Sequence, residues 1–221
     1  MKFVGHLDLL RYFQKAFRRA GFQMEYSKGF KPHQIVSFAA PLAIGYTSDS
    51  EYVDIGIEDD LTDQEAIDRL NAAMADGIQI TGWRRLEESS KNAMSIVHAA
   101  RYSISLRESY GLSNSTKGTN LEELINSFLD QDKIIIMKKT KNSEKETNIR
   151  DHIFEAKVTD ENTIEFLLAT GSVNNLKPEL VMEAFSNFLD IEYKEFTYAI
   201  HRIDLYAKEE EGLVTLFETS L

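Results

Sequence analysis

RDHIFEAKVTDENTIEFLLATGSVNNLKPELVMEAFSNFLDI, residues 150 to 191, holds the pattern that decides the fold. RDHIFEAKV and TIEFLLAT are both strand-like, and the Asp160-Glu161-Asn162 turn between them predicts an antiparallel pair. LKPELVMEAFSNFLDI then takes the period of a helix. Its Pro178 falls in the first turn, where a missing N–H is harmless. Upstream, ARYSISLRE (100–108) reads as a strand, SYGLSNSTKGTN (109–120) as a polar loop, LEELINSFLDQ (121–131) as a helix and KIIIMKKTKN (133–142) as a strand. Downstream, FTYAIHRIDLYAK (196–208) reads as a strand, and GLVTLFETSL (212–221) as a further short one. The order strand–helix–strand–strand–strand–helix–strand matches a split βαβ, ferredoxin-like sandwich with one extra strand.

The other half begins with HLDLLRYFQKAFRRA (6–20), in which Leu10, Phe13, Phe17 and Ala20 form an apolar stripe. Asp8 in its first turn and Arg18 and Arg19 in its last complement the helix dipole, and Gly21 stops it. QMEYS, the turn KGFKPH and the extended QIVSFAAPL follow, then EYVDIGIE with strand alternation. LTDQEAIDRLNAAMA is a second amphipathic helix, capped by Thr62 or Asp63, and IQITGWRRL (78–86) is another strand. This is the same plan without an opening strand. The expected architecture is α+β: two tandem ferredoxin-like (split βαβ) units, the first lacking its opening strand. The expected boundaries are 1–88 for the first unit, 89–98 for a linker and 99–221 for the second unit.

A chain of 221 residues that is 43% apolar, with 13 Phe and 9 Tyr, can build real cores. No apolar run approaches the roughly 20 residues of a membrane span, and the N-terminus has no signal-peptide pattern. A cytoplasmic protein with no membrane partner is expected. With no cysteine, the chain cannot hold an iron–sulfur cluster by thiolates or use a thiol nucleophile. No cofactor and no metal is expected.

The net charge of −11 conceals a segregation. Residues 1 to 35 carry seven basic side chains (Lys2, Arg11, Lys15, Arg18, Arg19, Lys28, Lys31) against Asp8 and Glu25. The remaining 186 residues carry 18 basic and 34 acidic groups. Such segregation fits one surface that meets an anion while the rest keeps the protein soluble. On a helical wheel Arg11, Lys15 and Arg18 share a narrow arc, with Arg19 at its edge. The loop YSKGFKPH adds Lys28, Lys31 and His33, with Tyr26 and Phe30 as stacking surfaces. Cations interleaved with rings suit single-stranded or looped RNA. Gly29 permits close backbone approach and Pro32 stiffens the turn. The plain alternative is a solvated face.

His6 and His33 are also candidates for acid–base work in a metal-independent ribonuclease, against a structural role in which His6 caps the helix or orients the loop. His6, Asp8 and His33 make a poor metal set, because positions i and i+2 on a helix point apart. Asp54 is a candidate partner for an arginine of the first helix. No P-loop, G-x-S-x-G or G-x-G-x-x-G occurs.

HLDLLRYFQKAFRRAGF and YSKGFKPHQIVSFAAPLAIG, followed by EYVD, resemble the N-terminal signature of the radical-SAM-linked family catalogued as domain of unknown function 2344. The matching residues are His6 to Leu9 and Arg11; Arg18 to Gly21; Tyr26, Ser27, Gly29, Phe30, Pro32 and His33; Ser37 to Ala39, Pro41, Leu42 and Gly45; and Glu51, Tyr52 and Asp54. IHRIDLYAK is similar to the family's closing strand. Gly5 stands where the family usually has Ser, and Gln34 where it often has a second Pro. Members usually carry about ten further basic-rich residues ahead of the point matching Met1, so a start upstream is expected. That would account for the missing strand. The resemblance implies association with a radical SAM protein, and this Cys-free chain would be an accessory part. The leading expectation is a non-catalytic RNA-binding module acting with that partner. The alternatives are a module that docks the partner without RNA, and the ribonuclease. An incomplete first sheet would also allow a homodimer, unless the C-terminal segment fills the position.

Overall fold

The structure, a computed structural model, describes residues 3–106, 120–139 and 144–220. The loop expected at 109–120 lies outside these residues, apart from Asn120. The protein is α+β and divides into two compact units. Unit 1 comprises Met1–Tyr46, Glu51–Val97 and Ala207–Leu221; unit 2 comprises Thr47–Ser50 and His98–Tyr206. Among the described residues, no helix is long and apolar enough to cross a membrane.

Unit 2 is built on four long strands: β4 (Val97–Leu106), β7 (Ile153–Asp160), β8 (Thr163–Ala169) and β9 (Tyr198–Glu209), lying in the order β9-β4-β8-β7. The first residue of β4 and the last three of β9 belong to unit 1. β7 and β8 are the expected antiparallel pair. Their turn is closed by the Asn162 N–H, which donates to Asp160 Oδ1 at 2.9 Å, as Asp commonly does in turns. β2 (Thr47–Ser48) adds a short parallel pairing, with Thr47 opposite His201. Helices α4 (Leu121–Leu129) and α5 (Pro178–Phe188) supply much of the core. Phe128 meets Phe185 edge-to-face at 5.3 Å, and Phe166, Leu168, Ile104 and Leu205 are fully buried. β7 lies at the sheet edge and carries Glu155 and Lys157 with a register shift near each end, features that blunt pairing with another chain.

The strand expected at 133–142, β5 (Ile135–Lys139), does not join this sheet. It pairs with β6 (Glu144–Asn148) in a separate ribbon. β6, EKETN, has no apolar period to announce it. Asn148 fixes the ribbon's base, where its Oδ1 accepts from Ile134 N at 3.0 Å and Arg150 N at 3.1 Å.

Unit 1 departs further from the sheet expected of it. α1 (His6–Arg19) and α2 (Asp63–Ala73) form as expected, and Thr62 caps α2 in a capping box with Glu65. The strands are short. β1 (Val36–Phe38) pairs antiparallel with β3 (Val53–Ile55), and the segment 23–27 contributes only single bridges, Met24 to Ile57 and Tyr26 to Gln34. Glu25, Ile35 and Gly56 link their backbones in a closed triangle, and a Cβ on Gly56 would lie 3.0 Å from Glu25 Cβ and 3.1 Å from Ile35 Cβ. A side chain there would press on both neighbours, and glycine leaves the room in which the three segments meet.

No strand forms at 78–86, where IQITGWRRL predicted one. There the Asn71 side chain takes the place of a neighbouring strand. Its Nδ2 donates to Ile80 O at 2.9 Å and its Oδ1 accepts from Ile80 N at 2.8 Å. Residues 93–96, placed in the expected linker, form the short helix α3 (Ala93–Ile96). The C-terminal β10 (Gly212–Thr215) lies beside β9 and does not complete the β1–β3 ribbon. Phe13, Phe17, Phe22, Met24, Phe38 and Leu70 make the core of unit 1.

Candidate anion-binding surface

α1 has Gly5 at its N-cap with no side-chain cap bond, so His6 does not cap the helix. The His6 ring instead packs edge-on against Phe38 of β1 at 5.7 Å, which ties the first turn to the ribbon. Phe13, Ala16 and Phe17 face the core and leave Arg11, Lys15, Arg18 and Arg19 exposed.

These four cations do not share one role. Arg11 Nη1 donates to Asp8 Oδ1 at 3.2 Å in a solvent-exposed pair, an interaction of small energy. Arg19 is structural. Its guanidinium donates to Ala73 O at 2.8 Å at the end of α2 and lies over the Tyr12 ring, 5.7 Å from its centre. The Tyr12 hydroxyl in turn accepts from Ala75 N at 2.6 Å. Arg19 and Tyr12 therefore staple α1 to the end of α2. Arg19→Ala is expected to cost about 1 kcal/mol in urea unfolding, less than a buried charged donor because the group is exposed. Arg18→Ala next to it is expected to cost close to nothing. Equal costs would refute the division of roles.

The segment 26–34 is a closed finger. Tyr26 and Gln34 bridge at its neck, and Ser27 N donates to His33 O at 2.8 Å. Ser27 Oγ accepts from His33 N at 3.1 Å and lies 2.8 Å from His33 Nδ1. His33 thus closes the loop with its own side chain. Lys28, Gly29, Phe30, Lys31 and Pro32 form the tip and are all exposed, with Gly29 at φ 124°, a value that side chains rarely adopt. Among the described residues, no hydrogen bond or ion pair engages the side chain of Lys15, Arg18, Lys28 or Lys31. Gln34 behind the tip is 3% exposed, and neither atom of its amide finds a partner among the described residues.

His6, Asp8 and His33 are engaged separately, with Phe38, Arg11 and Ser27. Of the acidic motif residues, Glu51 is exposed just before β3. Asp54 turns to α3 instead of an arginine of α1, and its Oδ2 accepts from Ala93 N at 2.7 Å. Pro41 is exposed in the segment after β1. Burial pushes the Asp54 carboxyl above its ordinary value, against the Ala93 N–H and the charge of Arg84, which both pull it down. A carboxyl raised on folding favours the folded state most below its unfolded value, and that contribution is withdrawn as pH rises through the folded value. Asp54→Asn keeps an acceptor for Ala93 and removes the charge. Its stability relative to wild type is therefore expected to improve from about pH 3 to about pH 7, measured by urea unfolding at both. An unchanged difference would refute this reading of Asp54.

No curated protein and no solved structure matches this chain. Residues 1–178, which include α1, the finger, the β1–β3 ribbon and Asp54, match the model of a family described as an uncharacterized protein conserved in bacteria (DUF2344), and the chain belongs to that family.

Proposed function

We propose that this protein is an accessory, non-catalytic module that binds RNA through the exposed cations of unit 1 and presents it to a radical SAM protein. The observation that carries the RNA reading is the set Lys15, Arg18, Lys28 and Lys31, four exposed cations without intramolecular partners among the described residues, in a chain of net charge −11. Cations left unpaired in an acidic protein are available to a polyanion, and aromatic groups beside them favour nucleic acid. The radical SAM partner comes from the family resemblance. The absence of cysteine supports an accessory place beside the cluster-bearing protein. The same reading treats unit 2 as ferredoxin-like, on its strand order β9-β4-β8-β7 with a helix after β4 and another after β8. Unit 1 is taken as a reduced version of that plan.

The test is a salt titration of RNA binding. Each phosphate contact to a single strand adds about −0.7 to the slope of log K against log salt, so four contacts give a slope near −3, roughly a 50-fold loss between about 50 and 200 mM. Failure to bind RNA at the low-salt end overturns the proposal. Co-purification of a radical SAM protein that survives ribonuclease, together with that failure, would replace it with docking to an acidic protein face.

A further inference from the structure

We propose that Phe30 is a stacking platform for one unpaired nucleobase, so that the target is single-stranded or looped RNA and not duplex. This rests on the RNA reading above and goes on to assign the apex of the finger. The relative exposure of Phe30 is 108%, so the ring lies open to solvent at the tip. Its position is built. The Tyr26–Gln34 bridge, the Ser27–His33 backbone bond and the Ser27 hydroxyl close the neck, and Gly29 at φ 124° sets the turn that carries the ring outward. Tyr26, at the neck, is only 51% exposed.

Lys28 and Lys31 flank the ring in sequence and are exposed with it. An apolar ring between two cations complements a base attached to phosphates on both sides. It fits an apolar protein pocket poorly, because burying the ring there would desolvate both ammonium groups. A phenyl ring has no hydrogen-bonding group, so the contact is blind to base identity. It requires a free base face, however, and a paired, stacked base inside a helix offers none.

The experiment uses the full chain and two fluorescein-labelled RNAs of mixed sequence, a single strand of about 12 nucleotides and a duplex of the same length. Binding of wild type, Phe30→Ala and Phe30→Trp is followed by anisotropy at low salt. Phe30→Ala is expected to weaken single-strand binding about 10- to 100-fold with an unchanged salt slope, since no phosphate contact is lost. Duplex binding should stay as in wild type, and Phe30→Trp should restore the single-strand affinity. Phe30 is fully exposed, so thermal melting should be unchanged in both variants. If Phe30→Ala binds the single strand as wild type does, or weakens strand and duplex alike, the stacking assignment falls while the RNA reading stands. If wild type binds neither RNA at low salt, the RNA reading falls and takes the assignment with it.

Discussion

Reversing two charges, Arg18→Glu with Lys31→Glu, is expected to abolish RNA binding, with at least about a 100-fold loss at low salt. One change lies on α1 and the other on the finger, and both side chains are exposed and unengaged among the described residues. Each replacement removes a phosphate contact and sets a carboxylate against the backbone, so the penalty exceeds that of neutral substitution. The salt slope of any residual binding should fall by about 1.4, two contacts at about 0.7 each. Neither residue packs against the core, so unfolding by urea should match wild type within about 0.5 kcal/mol. Filter binding across a salt series measures the affinity. Wild-type affinity in this variant would refute the surface as the RNA site. Arg19→Glu is a useful contrast, because its expected fault is in folding.

Phe17→Ala is expected to have the largest effect on stability, about 3–5 kcal/mol. Phe17 is 1% exposed, stacks on Phe22 at 6.4 Å and touches Phe13 at 5.9 Å. Phe22 in turn meets Trp83 edge-to-face at 5.7 Å. Truncation leaves a cavity where α1 rests on its neighbours. Against a total stability of about 5–15 kcal/mol for an ordinary domain, that loss brings unit 1 close to unfolding. Trp83, the chain's one tryptophan, reports on this core, so its emission during urea unfolding follows the relevant transition. An unshifted midpoint would show that the aromatic cluster does not hold α1 in place.

Much of unit 2 was legible because its apolar residues repeat at the strand or helix period. Ile164, Phe166 and Leu168 lie inward on β8, and Pro178 opens α5 as expected. β6 was not legible, since EKETN is polar throughout and forms only because β5 and Asn148 hold it. IQITGWRRL misled for a physical reason. Alternation records which side chains are covered, and Ile78, Ile80 and Trp83 are indeed partly buried, but the ladder partner of Ile80 is the Asn71 side chain. A backbone can be extended and satisfied without a second strand.

The site divides in the same way. The finger is local: His33 makes its contacts with Ser27, six residues away, and Gly29 turns the chain between them. Arg18 and Arg19 are indistinguishable by type and adjacent in sequence. They differ only because Ala73 and Tyr12 lie beside one of them. The hold of Asp54 on Ala93 spans 39 residues and leaves no local trace. Partners set by tertiary packing are the part that one sequence conceals.

Arg84 donates to the backbone carbonyls of Phe217 and Thr219, and the Phe217 ring covers Gly82. The unit that carries α1 and the finger is therefore finished by residues 207–221, which are made after all of unit 2. During synthesis the part of it that precedes residue 98 must wait, partly unsupported, while the whole of 98–206 is made. Unit 1 cannot be isolated by cutting the chain at residue 97. Such a fragment would lack both acceptors of Arg84, and loss of RNA binding in it would be a folding failure that says nothing about the surface.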